Sequence, residues 1–249
     1  MSTRIRRTLV GASIAPETRG YLRLLHSFEL SFDGRSVPVP LPAQRLLAFL
    51  ALQEFPLLRG YVAGTLWLDS SEEHAAGSLR SALWRIRRLD VRLVEVSGRR
   101  LRLAPTVSVD VRDTVAWARR VLDASVELEA EDVAEVWRRG ELLPDWYDDW
   151  VAFERERLRV LRAHALEHLC VRLAAVGRFG EATEAGLAAI REEPLRESAH
   201  RALIAVHVAE GNPASALQRY RGFASLLQRE LGIRPSARMD ELIDSMTTR

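Results

Sequence analysis

Apolar and polar positions along the first hundred residues change period twice. Tyr21 to Leu25 and Phe28 to Phe32 alternate as short strands, and Asp33-Gly34 between the second run and Val37-Pro38-Val39 is a strong hairpin signal. From Pro42 to Leu52 the spacing becomes helical, with proline in the first turn where its missing N–H costs nothing. A second short helix is expected from about Gly60 to Trp67. Ser70-Ser71-Glu72-Glu73 has the form of a capping box with Ser70 as the cap, opening a third helix that runs to about Leu89.

At 100° per residue, Ala75, Ala76, Leu79, Ala82, Leu83, Ile86 and Leu89 share one arc of that third helix. His74, Gly77, Ser78, Ser81, Trp84, Arg85 and Arg88 take the opposite side, and Arg80 and Arg87 stand at the edge of the stripe. Leu93 to Val96, Ser97-Gly98-Arg99-Arg100 and Leu101 to Leu103 then read as a hairpin with two arginines at its tip. Strands, three helices and a basic-tipped hairpin describe a winged helix.

Beyond Asp110 the pattern is helical throughout: Val111 to Leu122, Glu131 to Arg138, and a long helix from about Asp149 to Val176. Gly177-Arg178-Phe179-Gly180-Glu181-Ala182 and Gly211-Asn212-Pro213-Ala214-Ser215-Ala216 repeat at an offset of 34 residues (211 minus 177), the tetratricopeptide period. Pro194 and Pro235 close the second helix of each unit. The expected fold is mainly α with a small β component. It comprises a flexible segment over 1–20, a winged helix-turn-helix domain over 21–108 and an all-α tetratricopeptide-like domain over 109–249.

Charge sharpens this division. Residues 1–110 hold 16 Arg against 10 acids, while residues 111–249 hold 20 against 24, giving +6 and −4. The excess sits in residues 80–102, where Arg80, Arg85, Arg87, Arg88, Arg92, Arg99, Arg100 and Arg102 face only Asp90 and Glu95. Such a cluster is the footprint of a phosphate-binding surface. Every basic residue is arginine and none is lysine, so arginine richness by itself argues little.

Other chemistry is sparse. A single cysteine, Cys170, lies within a helical apolar pattern and reads as inert core. His164-Ala165-Leu166-Glu167-His168 matches a short zinc-peptidase pattern, yet nothing around it supplies a further ligand. The aromatic and acidic run Trp146-Tyr147-Asp148-Asp149-Trp150 reads as packing rather than a binding box. No glycine-rich phosphate loop, nucleophile elbow or paired-cysteine site occurs. We therefore expect no enzyme, no cofactor and no metal, and a cytoplasmic, nucleoid-associated protein without a membrane span. An adaptor whose helical repeats bind a peptide is the alternative.

Three blocks carry a family resemblance: Leu66-Trp67 with Ser78-Leu79-Arg80-Ser81-Ala82-Leu83-Trp84-Arg85-Ile86-Arg87-Arg88; Leu142-Leu143-Pro144-Asp145-Trp146-Tyr147-Asp148-Asp149-Trp150 with Glu154 to Leu158; and Leu231-Gly232-Ile233-Arg234-Pro235-Ser236. Together they resemble the Streptomyces antibiotic regulatory protein family, which joins an OmpR-type winged helix to a bacterial transcriptional activator domain. The resemblance implies an activator of secondary-metabolite genes that binds direct repeats in double-stranded DNA, as a possible homodimer, and contacts RNA polymerase holoenzyme. It also implies that the helix from Glu72 to Leu89 reads DNA through Arg80, Ser81, Trp84, Arg85, Arg87 and Arg88, with Arg99 and Arg100 on the backbone. Leu57-Leu58, Arg59-Gly60 and Leu68 depart from the family pattern, and the loop joining helices two and three is expected to differ.

Overall fold

The computed structural model describes residues 20–89, 91–137 and 140–247. Apart from Gly20, the N-terminal segment expected over 1–20 lies outside the described residues, as do Asp90 and Arg138. The chain divides into two compact units. One comprises residues up to Leu22 with Glu29–Ser108, the other Arg23–Phe28 with Val109–Arg249. The short segment after the first strand thus belongs with the helical half.

In the first unit, β1 (Gly20–Arg23), β2 (Glu29–Phe32), β3 (Arg35–Ser36) and β7 (Val107–Val109) form a sheet in the order β3-β2-β1-β7. The β2–β3 turn has positive φ at both Asp33 (48°) and Gly34 (78°), the geometry of a type I′ hairpin. β3 ends before the strand expected at Val37–Val39, because Pro38 and Pro40 have no N–H to extend a ladder.

Three helices follow: α1 (Leu41–Ala51), α2 (Arg59–Leu66) and α3 (Glu72–Arg87). Leu46, Leu47 and Leu50 of α1, Leu66 of α2, and Leu79, Leu83 and Ile86 of α3 are all buried, each such side chain stabilising by roughly 2 kcal/mol. A second sheet has the order β4-β6-β5, with β4 (Leu57–Leu58), β5 (Val94–Ser97) and β6 (Arg100–Leu103). β4 has only two residues, too short for an alternation to show in the sequence.

The second unit is helical: α4 (Asp110–Leu122), α5 (Ala130–Ala134) with a 3₁₀ turn at Glu135–Trp137, α6 (Asp149–Ala175), α7 (Phe179–Glu192), α8 (Glu197–Ala209), α9 (Pro213–Leu231) and α10 (Ala237–Thr247). The 34-residue repeat is visible in its hydrogen bonds. Arg178 N–H donates to Leu173 and Gly177 N–H to Ala174; Asn212 N–H donates to His207 and Gly211 N–H to Val208. With φ of 77° at Gly177 and 83° at Gly211, these are two equivalent Schellman caps, each ending the first helix of a helix pair. Ala182 and Ala216, five residues after each glycine, are fully buried.

Two polar side chains fix irregular backbone here. The buried carboxylate of Asp110, at the start of α4, accepts from the N–H groups of Leu24 (3.0 Å), Leu25 (2.9 Å) and Val111 (2.8 Å). Burial pushes this carboxyl above the usual range, and the three donors pull it back. Arg155 of α6 donates to the carbonyls of Leu142, Leu143 and Trp146 at 2.9, 2.7 and 3.1 Å.

In the aromatic run Trp146 and Trp150 pack as expected, whereas Tyr147 is 93% exposed. Leu142 and Leu143 are buried, Leu142 bridges to Leu25, and Trp146 stacks on Phe28 and meets Trp150 edge-on. Glu167, the acid of the zinc-like pattern, accepts instead from Arg196 (2.7 Å) and Ser198 (2.8 Å). The described residues contain no metal-binding cluster. Burial pushes the Cys170 thiol up to about 12, so it carries no thiolate at neutral pH. Among the described residues no helix is long and apolar enough to cross a membrane.

Candidate nucleic-acid interface

The cap of helix α3 stands one residue later than the sequence implies. Ser71, not Ser70, is the cap, its Oγ accepting from the His74 N–H at 3.4 Å and lying 2.7 Å from the His74 ring. The third residue of the helix is therefore His74, and the reciprocal glutamate bond of a capping box is not formed. Glu72 and Glu73 in the first turn with Arg85 and Arg87 in the last match the helix dipole at both ends.

Burial of Ala75, Leu79, Ala82, Leu83 and Ile86 fixes the rotation of α3. The opposite arc is then solvent-facing, and Arg80, Ser81, Trp84, Arg85, Arg87 and Arg88 are all exposed. Trp84 is 58% exposed, a large apolar surface left to solvent. The Arg88 guanidinium lies 4.9 Å from its ring centroid, a cation–π contact that holds the arginine against the helix. Arg80, Ser81, Trp84, Arg85 and Arg87 line one groove of about 620 Å³.

The groove has a further member that sequence reasoning missed. Arg59, the first residue of α2, lines it too. Its position depends on β4, which pairs Leu57 with Leu101 and Leu58 with Arg100, and on a bond from the Arg59 N–H to the Arg99 carbonyl (2.9 Å). Only that pairing brings the start of α2 to the basic face.

The hairpin pairs Val94 with Leu103, Glu95 with Arg102, Val96 with Leu101 and Ser97 with Arg100. This leaves Gly98-Arg99 as a two-residue turn, with Gly98 at φ 57° where a type II′ turn takes glycine. Arg99 is exposed at the tip, while Arg100 donates to the Pro56 carbonyl at 3.0 Å. Neither lines the α3 groove. Arg102 is bound to Glu95 across the strands at 2.6 Å, so it adds little to the positive field that its neighbours make.

A helix-turn-helix with a basic, solvent-facing second helix and an arginine-tipped wing, followed by stacked helix pairs, is the architecture of winged-helix bacterial transcription regulators. Residues 112–246 match the family model of the bacterial transcriptional activator domain, and the chain belongs to that family. With the winged helix in front of this domain, the order is that of the Streptomyces antibiotic regulatory proteins, as the three sequence blocks imply. Among solved structures the chain is similar to Mycobacterium tuberculosis EmbR, determined in complex with a low-affinity phosphopeptide. The TM-score is 0.69 at 23% identity, over 93% of this chain and 66% of that one. The chain therefore spans a little under two thirds of the EmbR chain. No curated protein sequence matches it.

Proposed function

We propose that the protein is a sequence-specific DNA-binding transcriptional activator that seats α3 in the major groove of double-stranded DNA. Ser81, Trp84 and Arg85 face base edges, and Arg80, Arg87 and Arg88 flank them toward phosphates. The wing, through Arg99 and Arg100, reaches the adjacent backbone. Arg59 adds a phosphate contact from α2. The carrying observation is the exposed arc of α3, where arginines and a tryptophan stand together with no carboxylate bonded to them among the described residues.

The rest of the reading follows the family. The protein binds direct repeats beside promoters of secondary-metabolite genes, as a homodimer or as two copies in tandem, in the cytoplasm at the nucleoid. It contacts RNA polymerase holoenzyme. The test is titration of the purified chain against DNA upstream of its own and neighbouring genes at two salt concentrations, with footprinting of any retained fragment. Protection of two direct repeats, lost in Arg85→Ala, is the expected result. Absence of binding at either salt concentration overturns the reading in favour of a peptide-binding adaptor.

A further inference from the structure

Helix α9 and the turn after it depart from the acidic character of their half of the chain. Between Pro213 and Met239 stand Arg219, Arg221, Arg229, Arg234 and Arg238 against a single acid, Glu230. Arg219 and Arg229 line a cavity of about 650 Å³ in the second unit, formed by α8, α9 and the end of α7. Ile190, Phe223 and Leu226 supply apolar wall, and no carboxylate lines it.

The polar groups there are incompletely satisfied. Arg229 is bound to Glu230 at 2.8 Å. Arg219 is half-buried and forms no ion pair among the described residues. His200, 3% exposed, stacks on Phe223 at 4.0 Å and places Nε2 2.9 Å from the Pro194 carbonyl. A carbonyl only accepts, so Nε2 carries the proton. Nδ1 is buried without a hydrogen-bond partner. His207 likewise has a buried Nδ1 without a hydrogen bond, 3.9 Å from the Glu210 carboxylate. Buried polar groups are ordinarily paired, and a half-buried cation beside an apolar wall is placed to take an external anion.

We propose that this cavity binds a small carboxylic acid with an apolar body, the carboxylate on the Arg219 guanidinium and the hydrocarbon against Ile190, Phe223 and Leu226. The volume lies in the range of small-molecule sites. One unpaired guanidinium offers a planar fork that matches a carboxylate. A phosphate dianion would keep an uncompensated charge, since Arg229 is engaged by Glu230 and burial beside Arg219 holds the His200 imidazole below its usual range. The site is separate from the DNA-facing groove and stands whether or not the DNA-binding reading does.

The probe is 4-phenylbutyrate, titrated into the full-length chain and followed by histidine NMR. 4-Phenylbutylamine and 4-phenylbutanol serve as controls of the same body, and inorganic phosphate as a bare anion. The acid should saturate with a Kd on the order of 1 mM, as expected for a ligand of its size. It should also raise the pKa of His200, because a nearby anion favours the imidazolium. Arg219→Gln should weaken binding about tenfold or more, whereas Arg221→Gln, on the same helix but outside the cavity, should not. Equal binding of the amine or alcohol, equal binding of phosphate, no saturation by ~10 mM, or an unchanged His200 titration would each overturn the proposal. Should Arg219→Gln fail to fold, the ligand series and His200 titration on the wild-type chain decide it.

Discussion

The two units use arginine in opposite ways. In the helical unit the side chain serves the fold: Arg155 ties three carbonyls, Arg172 those of Val121, Asp123 and Val126, Arg162 meets Glu192, and Arg196 joins Glu167 to Glu193. In the winged unit Arg80, Arg85 and Arg87 reach into solvent along one groove. Composition is blind to the difference, because the residue is the same. What separates the two is the supply of partners: the helical half has 24 acids for 20 arginines, while residues 80–102 have two for eight. An arginine left without a partner is free to meet an external anion.

Mutations should therefore divide by unit into losses of stability and losses of binding. The largest effect is expected at Asp110. Asp110→Ala would leave the N–H groups of Leu24, Leu25 and Val111 buried without acceptors, at about 1–3 kcal/mol for each. Several kcal/mol in all should bring the chain close to its folding limit. Chemical denaturation followed by circular dichroism checks this. A loss under about 1 kcal/mol would show that water replaces the carboxylate. Next comes Arg155→Ala, which removes a donor from three carbonyls, that of Leu143 keeping the Trp146 N–H, and should cost about 2–3 kcal/mol. DNA affinity of the folded fraction should be unchanged.

On the other side of the comparison, Arg85→Ala should leave the denaturation midpoint where it is and weaken specific DNA binding by about 1–3 kcal/mol. A shifted midpoint with intact binding would place Arg85 in the fold. Arg59→Ala and Arg99→Ala should weaken binding to all sequences alike, each lowering the log–log salt slope by about 1. Random-sequence duplex suffices for that measurement.

Much of this was legible in the chain. The period of α3 gave its arc, five of whose seven members are buried and Ala76 and Leu89 half-buried; Asp-Gly marked the hairpin, and the 34-residue spacing of Gly177 and Gly211 marked the repeat, while the turn type and the Schellman bonds needed the backbone. Features that depend on distant pairing were not legible. Ser70 and Ser71 are equivalent in pattern, and only the position of the His74 N–H selects the second. Arg59 joins the groove through a two-residue strand, and residues 23–28 join the helical unit through Asp110, 85 and 86 positions away from Leu25 and Leu24. The eight basic positions were also not equal: Arg102 is bound to Glu95, and Arg100 is tied to Pro56.

That inequality gives the smallest prediction and the most direct test of the partner argument. Glu95 is the one described acid on the hairpin, and it holds Arg102 with both side chains partly exposed. An exposed pair of this kind contributes about 0–1 kcal/mol, so Glu95→Gln should scarcely move stability. It removes a negative charge from the wing and frees a guanidinium beside the surface proposed to face DNA. If an unpaired arginine is what makes this unit bind anions, affinity for random duplex should rise a few-fold at low salt and the salt slope should steepen by up to about 1. The gain should vanish in Glu95→Gln/Arg102→Gln, because the released side chain is then gone. A gain that survives the double substitution would come from the lost carboxylate field alone. No gain at all would mean that the hairpin does not approach the phosphates, and the interface would then rest on α3 and Arg59.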